Sequence, residues 1–309
     1  MGEKVLITGA AGFIGSHLCD FFLKKNFIVH AVDNFLTGSK KNLNHLEENE
    51  NFTFHELDIT NKLNFKINFD YILHFASPAS PMDYLKMPLK TLKVGSLGTE
   101  NVLELAIKSK ARVLVASTSE IYGDPEKHPQ KEDYFGNVNP IGPRGVYDEA
   151  KRYLEAVTTA YHNHLKLDVR IVRIFNTYGP RMRIGDGRVI PTFINQSLKN
   201  KDYTIFGNGL QTRSFCYITD TIDGIYKLLI SEYTKPINIG NPNEITLLKL
   251  IEQINKIQPN SNNIVFKRLP ENDPKRRKPD ITLAKKILNW EPKISLEVGL
   301  KKTLDYYNS

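Results

Sequence analysis

Tyr147 and Lys151 stand four residues apart in Tyr-Asp-Glu-Ala-Lys, so on a helix their side chains share one face. A phenol with a pKa near 10 is a poor base at neutral pH. An ammonium group beside it favours the phenolate, which can then take a proton from a substrate hydroxyl. This spacing also arises by accident, so its meaning depends on what precedes it. Thr118, Ser119 and Glu120 follow the apolar run Val113-Leu114-Val115-Ala116. A hydroxyl at Thr118 can hydrogen-bond a reacting oxygen. A carboxylate at the end of a central strand is costly to bury without a task or a partner. Glu120 is therefore either a functional group or half of a structural ion pair.

The element that must position these groups is written near the start. Val5-Leu6-Ile7 reads as a buried parallel strand, and Ser16–Leu23 carries apolar residues at helical spacing. Between them runs Gly9-Ala10-Ala11-Gly12-Phe13-Ile14-Gly15. Gly9 permits a tight turn, Gly12 a close approach to a pyrophosphate, and Gly15 close packing of helix on strand. The helix N-terminus adds free N–H groups and a positive dipole end. A second strand, Ile28–Val32, ends at Asp33. A carboxylate there accepts the adenosine ribose hydroxyls and repels a 2′-phosphate, which predicts NAD rather than NADP. A helix cap or turn role is the alternative for Asp33. The loop Asn34-Phe35-Leu36-Thr37-Gly38, the strand end Asp58-Ile59, Ala76 and Ser77 after a fourth strand, and Lys93 complete the expected cofactor contacts. The positive nicotinamide ring would join Lys151 in favouring the phenolate of Tyr147. His74 is expected to be a packed core histidine.

Strand and helix patterns alternate along the first half. Strands are expected at 52–57, 71–76, 112–117 and 169–175, with long helices over 91–109 and 145–165. That alternation predicts an α/β fold, a Rossmann-type doubly wound parallel sheet. From about residue 176 Gly, Pro and Arg become frequent. Helices near 188–199, 246–258, 281–288 and 296–307 with a strand at 203–206 suggest a smaller mixed C-terminal lobe for the substrate. Pieces near 214–232 and 236–240 are expected to return to the sheet. The predicted division is 1–176 with 214–242 for NAD, and 177–213 with 243–309 for the substrate.

Bulk properties exclude other classes. The chain has 309 residues and a net charge of +8, enough for a substantial core. No apolar run approaches the roughly 18 residues of a membrane span. The sequence enters its first strand almost at once, so no leader is expected, and a cytoplasmic enzyme fits. Cys19 and Cys216 are the two cysteines, too few for a disulfide scaffold and expected to be buried thiols. The positive balance suits an anionic small molecule, nucleic acid or an anionic surface. Apart from Lys275-Arg276-Arg277-Lys278 the basic residues are scattered, and no nucleic-acid motif is present. No metal-ligand cluster is expected.

The G-x-x-G-x-x-G spacing resembles that of the short-chain dehydrogenase/reductase superfamily. A narrower resemblance rests on Ser77–Pro81, Thr118–Gly123, Asn139–Arg144, Tyr147–Arg152, Arg173–Arg181, Gln211-Thr212-Arg213 and Asp273–Asp280. Their order is similar to that in the UDP-glucuronate decarboxylase (UDP-xylose synthase) family, over about residues 4–307. The resemblance implies UDP-glucuronate as substrate and NAD as cofactor. Tyr147 would deprotonate the 4-hydroxyl as NAD takes the hydride, making a β-keto acid able to lose carbon dioxide. Arg277 would hold the carboxylate in a two-pronged contact, Thr118 and Tyr147 would stabilise the enolate, and Ser119 and Glu120 would handle the proton at the 5-position. Asn176, Arg188, Thr204 and Arg213 would hold the UDP portion. Without the resemblance, Arg277 reads as one member of a solvated basic run. Relatives pair the 91–109 and 145–165 helices into a four-helix bundle, which implies a homodimer. Gly95 departs from the asparagine many relatives carry. A sugar-nucleotide 4,6-dehydratase, a 4-epimerase, an oxidative decarboxylase that stops at the 4-keto pentose, and an NAD-binding regulator remain alternatives.

Overall fold

The computed structural model describes residues 2–259, 262–268 and 276–308. Seven parallel strands form the central sheet: β1 (Lys4–Thr8), β2 (Ile28–Asp33), β3 (Phe52–Glu56), β4 (Tyr71–His74), β5 (Arg112–Thr118), β6 (Val169–Ile174) and, much later, β11 (Ile237–Ile239). Their order is β11-β6-β5-β4-β1-β2-β3. The chain winds outward from β1 in one direction, then restarts at β4 in the other. This leaves a crevice at the carboxyl ends of β1 and β4, where open α/β sheets bind ligands. Near-continuous apolar runs, buried on both faces, make these strands.

Helices α1 (Phe13–Lys24), α2 (Pro81–Lys86), α3 (Pro88–Lys93), α4 (Thr99–Ser109) and α5 (Gly145–Leu165) belong to the first half. The single helix expected over 91–109 is two helices joined by a π-helical turn, Val94–Gly98. Proline at the first position of α3 moves its start back to residue 88. Gly95 explains the turn's close approach to α5, since a Cβ there would lie 2.7 Å from the Ala150 Cβ.

The second half adds β7 (Thr177–Tyr178), β8 (Tyr203–Phe206), β9 (Thr212–Ser214), β10 (Cys216–Tyr217), β12 (Glu244–Thr246), β13 (Ile264–Lys267) and β14 (Arg276–Arg277). Its helices are α6 (Val189–Leu198), α7 (Ile218–Ile230), α8 (Leu247–Ile257), α9 (Thr282–Leu288) and α10 (Leu296–Asn308). The 236–240 piece returns to the sheet as β11, beside β6. The 214–217 stretch does not: β10 pairs with β7 in a separate two-stranded ribbon, and β9 joins β12 and β14. These strands have only two or three residues, too short to show a period in sequence. Cys19 and Cys216 are buried free thiols. His74 is buried, with Nδ1 2.8 Å from Thr8 Oγ1 and Nε2 3.2 Å from Thr99 Oγ1. Burial and the Lys151 charge push it down to about 3, so it stays neutral.

Candidate active site

One cleft of about 1300 Å³ runs across the carboxyl ends of the sheet strands and under the C-terminal elements. It is larger than a site for one drug-sized ligand. At its floor Gly9 takes φ +71° and turns the chain out of β1. A Cβ on Gly15 would stand 2.1 Å from the Gly9 carbonyl oxygen, so only glycine lets α1 start this close to β1. Gly12 caps α1 without a side chain, and the first turn holds no acid. The leading N–H groups of α1 therefore face the cleft without a side-chain cap, beside Phe13 and Ile14.

Asp33 closes β2. Its Oδ2 accepts from Ala11 N at 2.9 Å and its Oδ1 from Phe35 N at 2.8 Å. The carboxylate thus ties the glycine turn to the next loop while lining the cleft, so turn and ligand roles are compatible here. Burial raises its pKa and the backbone N–H groups oppose that shift. Asn34, Thr37, Asp58, Ile59, Ala76 and Ser77 line the same end, with Asn34 Nδ2 donating to Asp58 at 3.2 Å. Phe35, Gly38 and Lys93 are not in the cleft wall. The Phe35 ring stacks on Phe54, Gly38 packs behind against Ala11 and Asp33, and Lys93 is solvent-exposed where α3 gives way to the π turn.

Tyr147 and Lys151 lie in the first two turns of α5, both buried and both lining the cleft. Lys151 Nζ donates to the Ala116 carbonyl at 2.8 Å and sits 5.8 Å from the Tyr147 ring centroid. Burial lowers the lysine to about 8. Burial and the Glu120 charge raise the Tyr147 pKa, while Arg188 and a hydrogen bond with Thr118 oppose that rise. The Tyr147 ring stacks on Tyr84 at 5.1 Å and 9°.

The opposite end is charged. Arg277 on β14 is 4% exposed, so it is not part of a solvated run. Both of its terminal nitrogens donate to Glu120, Nη2 at 2.9 Å and Nη1 closer, and Arg144 Nη2 donates to the same carboxylate. Burial pushes Glu120 up, but Arg277 and Arg144 overcome that and hold it at about 2. Glu120 is ion-paired in this state. Strand β14 is fixed by Gln130, which is fully buried. Gln130 exchanges backbone and side-chain bonds with Lys278 at 2.9 Å and accepts from Asp280 N at 2.8 Å. Residues Asp273-Pro274-Lys275 of the basic motif lie outside the described residues.

Asn176, Arg188, Thr204 and Arg213 line the C-terminal wall. Arg188 is bonded to Asp186 at 2.7 Å, and Thr204 is bracketed by Gln196. Ser119 is buried beside Glu120 and lines the cleft. Among the described residues there is no group of His, Cys, Asp or Glu that could hold a metal, and no helix is long and apolar enough to cross a membrane.

A Danio rerio protein named UDP-glucuronic acid decarboxylase 1 is 47% identical over 306 residues, covering 99% of this chain and 73% of the relative. The chain belongs to the UDP-glucuronic acid decarboxylase family. Arabidopsis thaliana UDP-glucuronic acid decarboxylase 5 is 48% identical over 299 residues, 96% of this chain and 87% of that one. A family model described as GDP-mannose 4,6 dehydratase matches residues 6–303, so the chain belongs to that wider group as well. Among solved structures, a UDP-glucuronic acid 4-epimerase from Bacillus cereus in complex with UDP-glucuronic acid and NAD superposes with a TM-score of 0.88 at 32% identity, covering 99% of both chains.

Within this decarboxylase family fold, sequence reasoning gave no role to Tyr84, Arg144 or Asp148. Arg144 precedes Tyr147 by three residues, so helical spacing was a usable signal for its position. Nothing local marked Tyr84 or the partner that Arg277 finds.

Proposed function

We propose that this chain converts UDP-glucuronate to UDP-xylose and carbon dioxide with NAD as a recycled cofactor. The observation that carries the reading is the meeting of Arg277 and Glu120 with Tyr147 and Lys151 in one cleft, in a chain nearly half identical to named decarboxylases. The residues fit NAD: the side-chain-free turn at Gly9–Gly15 and the uncapped α1 terminus suit a pyrophosphate, and Asp33 suits the ribose. Bound there, NAD supplies a reversible two-electron oxidant for the sugar 4-position.

The chain's own residues do the rest. Tyr147, backed by Lys151 and bonded to Thr118, takes the 4-hydroxyl proton. Arg277 grips the carboxylate of the sugar by a fork that now grips Glu120. The entering carboxylate competes with Glu120 for that fork. Glu120 released from Arg277 loses the larger of the two charges that depress it, Arg144 staying bonded, so its pKa rises and it carries a proton more readily. Carbon dioxide leaves the 4-keto acid, Tyr147 and Thr118 hydrogen-bond the enolate oxygen, and Ser119 and Glu120 deliver the proton to the 5-carbon. Asn176, Arg188, Thr204 and Arg213 hold the UDP portion.

The same reading assigns 1–176 with 214–242 to the cofactor and 177–213 with 243–309 to the substrate. It makes the enzyme a cytoplasmic homodimer. Exposed Leu89, Leu92 and Leu97 around α3 and the π turn, and Tyr153 on α5, support pairing of these helices. Light scattering at micromolar concentration should give twice the 35.3 kDa chain mass, and a monomer overturns the pairing.

Purified protein incubated with UDP-glucuronate and NAD tests the activity. Proton NMR should show UDP-xylose with no build-up of NADH absorbance. A 4-keto pentose with stoichiometric NADH moves the enzyme to the oxidative class, UDP-galacturonate makes it an epimerase, and no turnover overturns the reading.

A further inference from the structure

The segment from Arg181 to Gly187, between β7 and α6, lines the cleft and is tied to elements on two sides of it. On one side Arg181 Nη2 donates to Asp20 Oδ2 of α1 at 2.7 Å. His17 of the same helix has Nε2 3.0 Å from the Pro180 carbonyl oxygen. His45 shares Asp20 through the other carboxylate oxygen, at 2.7 Å. On the second side Arg183 Nη2 donates to Asp83 Oδ2 of α2 at 2.7 Å. Ser80 Oγ donates to that same oxygen at 2.8 Å and fixes the carboxylate. Between the two arginines Met182 is buried, and its carbonyl accepts from the Tyr307 hydroxyl of α10. None of these contacts has a task in the mechanism above.

The placement of the two ion pairs carries the argument. Helix α1 follows β1 and α2 follows β4, the two strands that border the crevice. One segment, holding arginines two residues apart, is thus tied to both borders and crosses the space between them. A third contact adds to the Asp83 side. Gly187, at φ +85°, passes so close to α2 that a Cβ on it would lie 2.9 Å from Met82 Cγ. Gly185, at φ +84°, is the free point of the segment, where a Cβ would meet no other described residue within 4 Å. The Arg183 side chain is 46% exposed and that of Asp83 16%. A pair so exposed adds little to the stability of the fold. Here, however, each pair must part before the segment can lift from the crevice.

We infer that this segment is a strap across the cofactor crevice, and that Asp20 and Asp83 are positioning residues that act through it to retain the reduced cofactor until the ketone is reduced again. The inference rests on the reading that NAD is recycled. The electron balance shows why retention decides the product. Oxidation moves a hydride from the 4-carbon to NAD and the hydroxyl proton to Tyr147. Carbon dioxide then leaves, and the 5-carbon takes up a proton. Return of the hydride to the 4-carbon, with the Tyr147 proton to its oxygen, gives UDP-xylose. Escape of NADH before that return leaves one 4-keto pentose for each NADH released. A looser strap shifts the outcome from the first product to the second.

The first readout needs no turnover. NADH bound to the full chain is followed by its fluorescence and displaced with excess NAD. Asp83→Asn should speed NADH release roughly two- to fivefold, the range of a partly exposed ion pair. Asp20→Asn should do so at least as much, since it unties Arg181 and His45 together. The melting temperature should stay within about 2 °C of wild type, which separates a strap from contacts that only hold the fold. Asp83→Arg should release NADH faster still, and adding Arg183→Asp to it should bring release back towards wild type. With UDP-glucuronate as substrate, the share of 4-keto pentose with equimolar NADH should rise in step with the release rate. Release at the wild-type rate in both asparagine variants overturns the inference, as does faster release with no rise in the ketone share. A wild type that holds NADH yet makes no product from UDP-glucuronate sinks the decarboxylase reading and the product claim with it, while the release rates still decide the strap. A wild type that binds no NADH sinks both.

Discussion

The two ends of the cleft are built from different materials. At the glycine turn the decisive contacts are backbone to backbone between near neighbours, such as Gly12 N to Gly9 O at 3.1 Å and Ser16 N to Gly12 O at 3.1 Å. The longer ties stay within the first forty-odd residues: Asp33 to Ala11 spans 22 residues, and Asn42 Nδ2 donates to the Ala11 carbonyl at 2.9 Å across 31. At the other end Glu120 and Arg277 meet across 157 residues, and nearly every group is charged. The first end is complete before a ligand arrives. The second satisfies itself with an internal ion pair, which on the proposed mechanism a substrate carboxylate displaces. On that mechanism, the end for a cofactor that stays can be rigid, whereas the end for a carboxylate that enters and is destroyed needs an exchangeable partner.

Tyr147 lies between the two ends, and removing its hydroxyl should have the largest effect. Tyr147→Phe keeps the ring stacked on Tyr84, so the fold and nucleotide binding should survive. The kcat should fall on the order of 10²–10⁴-fold, as followed by UDP-xylose formation. Retained turnover would detach the chemistry from this residue and point to a binding-only role.

Arg277→Gln sharpens the contrast at the charged end. It removes a forked, charge-assisted contact and should lower kcat/KM for UDP-glucuronate by roughly 10- to 100-fold. Binding of NAD, measured by calorimetry, should be unchanged. Equal losses at both ends would show that the two are not separable.

Gly15→Ala tests the rigid end. Its Cβ would press on the Gly9 carbonyl, which should cost about 1–3 kcal/mol of stability and weaken NAD without selectively changing the response to the carboxylate. A thermal melt and an NAD titration read both. An unperturbed melt would mean that the turn yields more readily than its packing implies.

The smallest effect expected is on acid stability. Glu120 is depressed to about 2 in the folded chain from its ordinary 4.5. It therefore adds stability above about pH 4.5 that is lost as pH falls towards 2. Denaturant unfolding of Glu120→Gln should lack that part of the acid slope. An identical slope would show that the ion pair contributes nothing net.

The sequence was most legible where contacts are local. The strand–Gly9–Gly12–Gly15–helix unit and α5 with Tyr147 and Lys151 were readable, because a period or a glycine spacing is a property of neighbours. The long 91–109 helix was misread because Gly95 and Gly98 are compatible with a helix, and only packing against Ala150 selects the π turn. Lys93, expected near the cofactor, lies exposed at the end of α3, outside the cleft wall. Arg277 looked like a surface cation in a basic run, and its resemblance to a family motif supplied what composition did not.

By itself the sequence determined the glycine turn with its strand and helix, the alternation of strands and helices in the first half and the Tyr–Lys pair, since each follows from side-chain periodicity and backbone freedom within some thirty residues. Tertiary structure decided the charged end. Gln130 pins β14, and β14 brings Arg277 to Glu120. Pairing energies between groups so far apart in the chain depend on distance and dielectric, and the fold alone sets both.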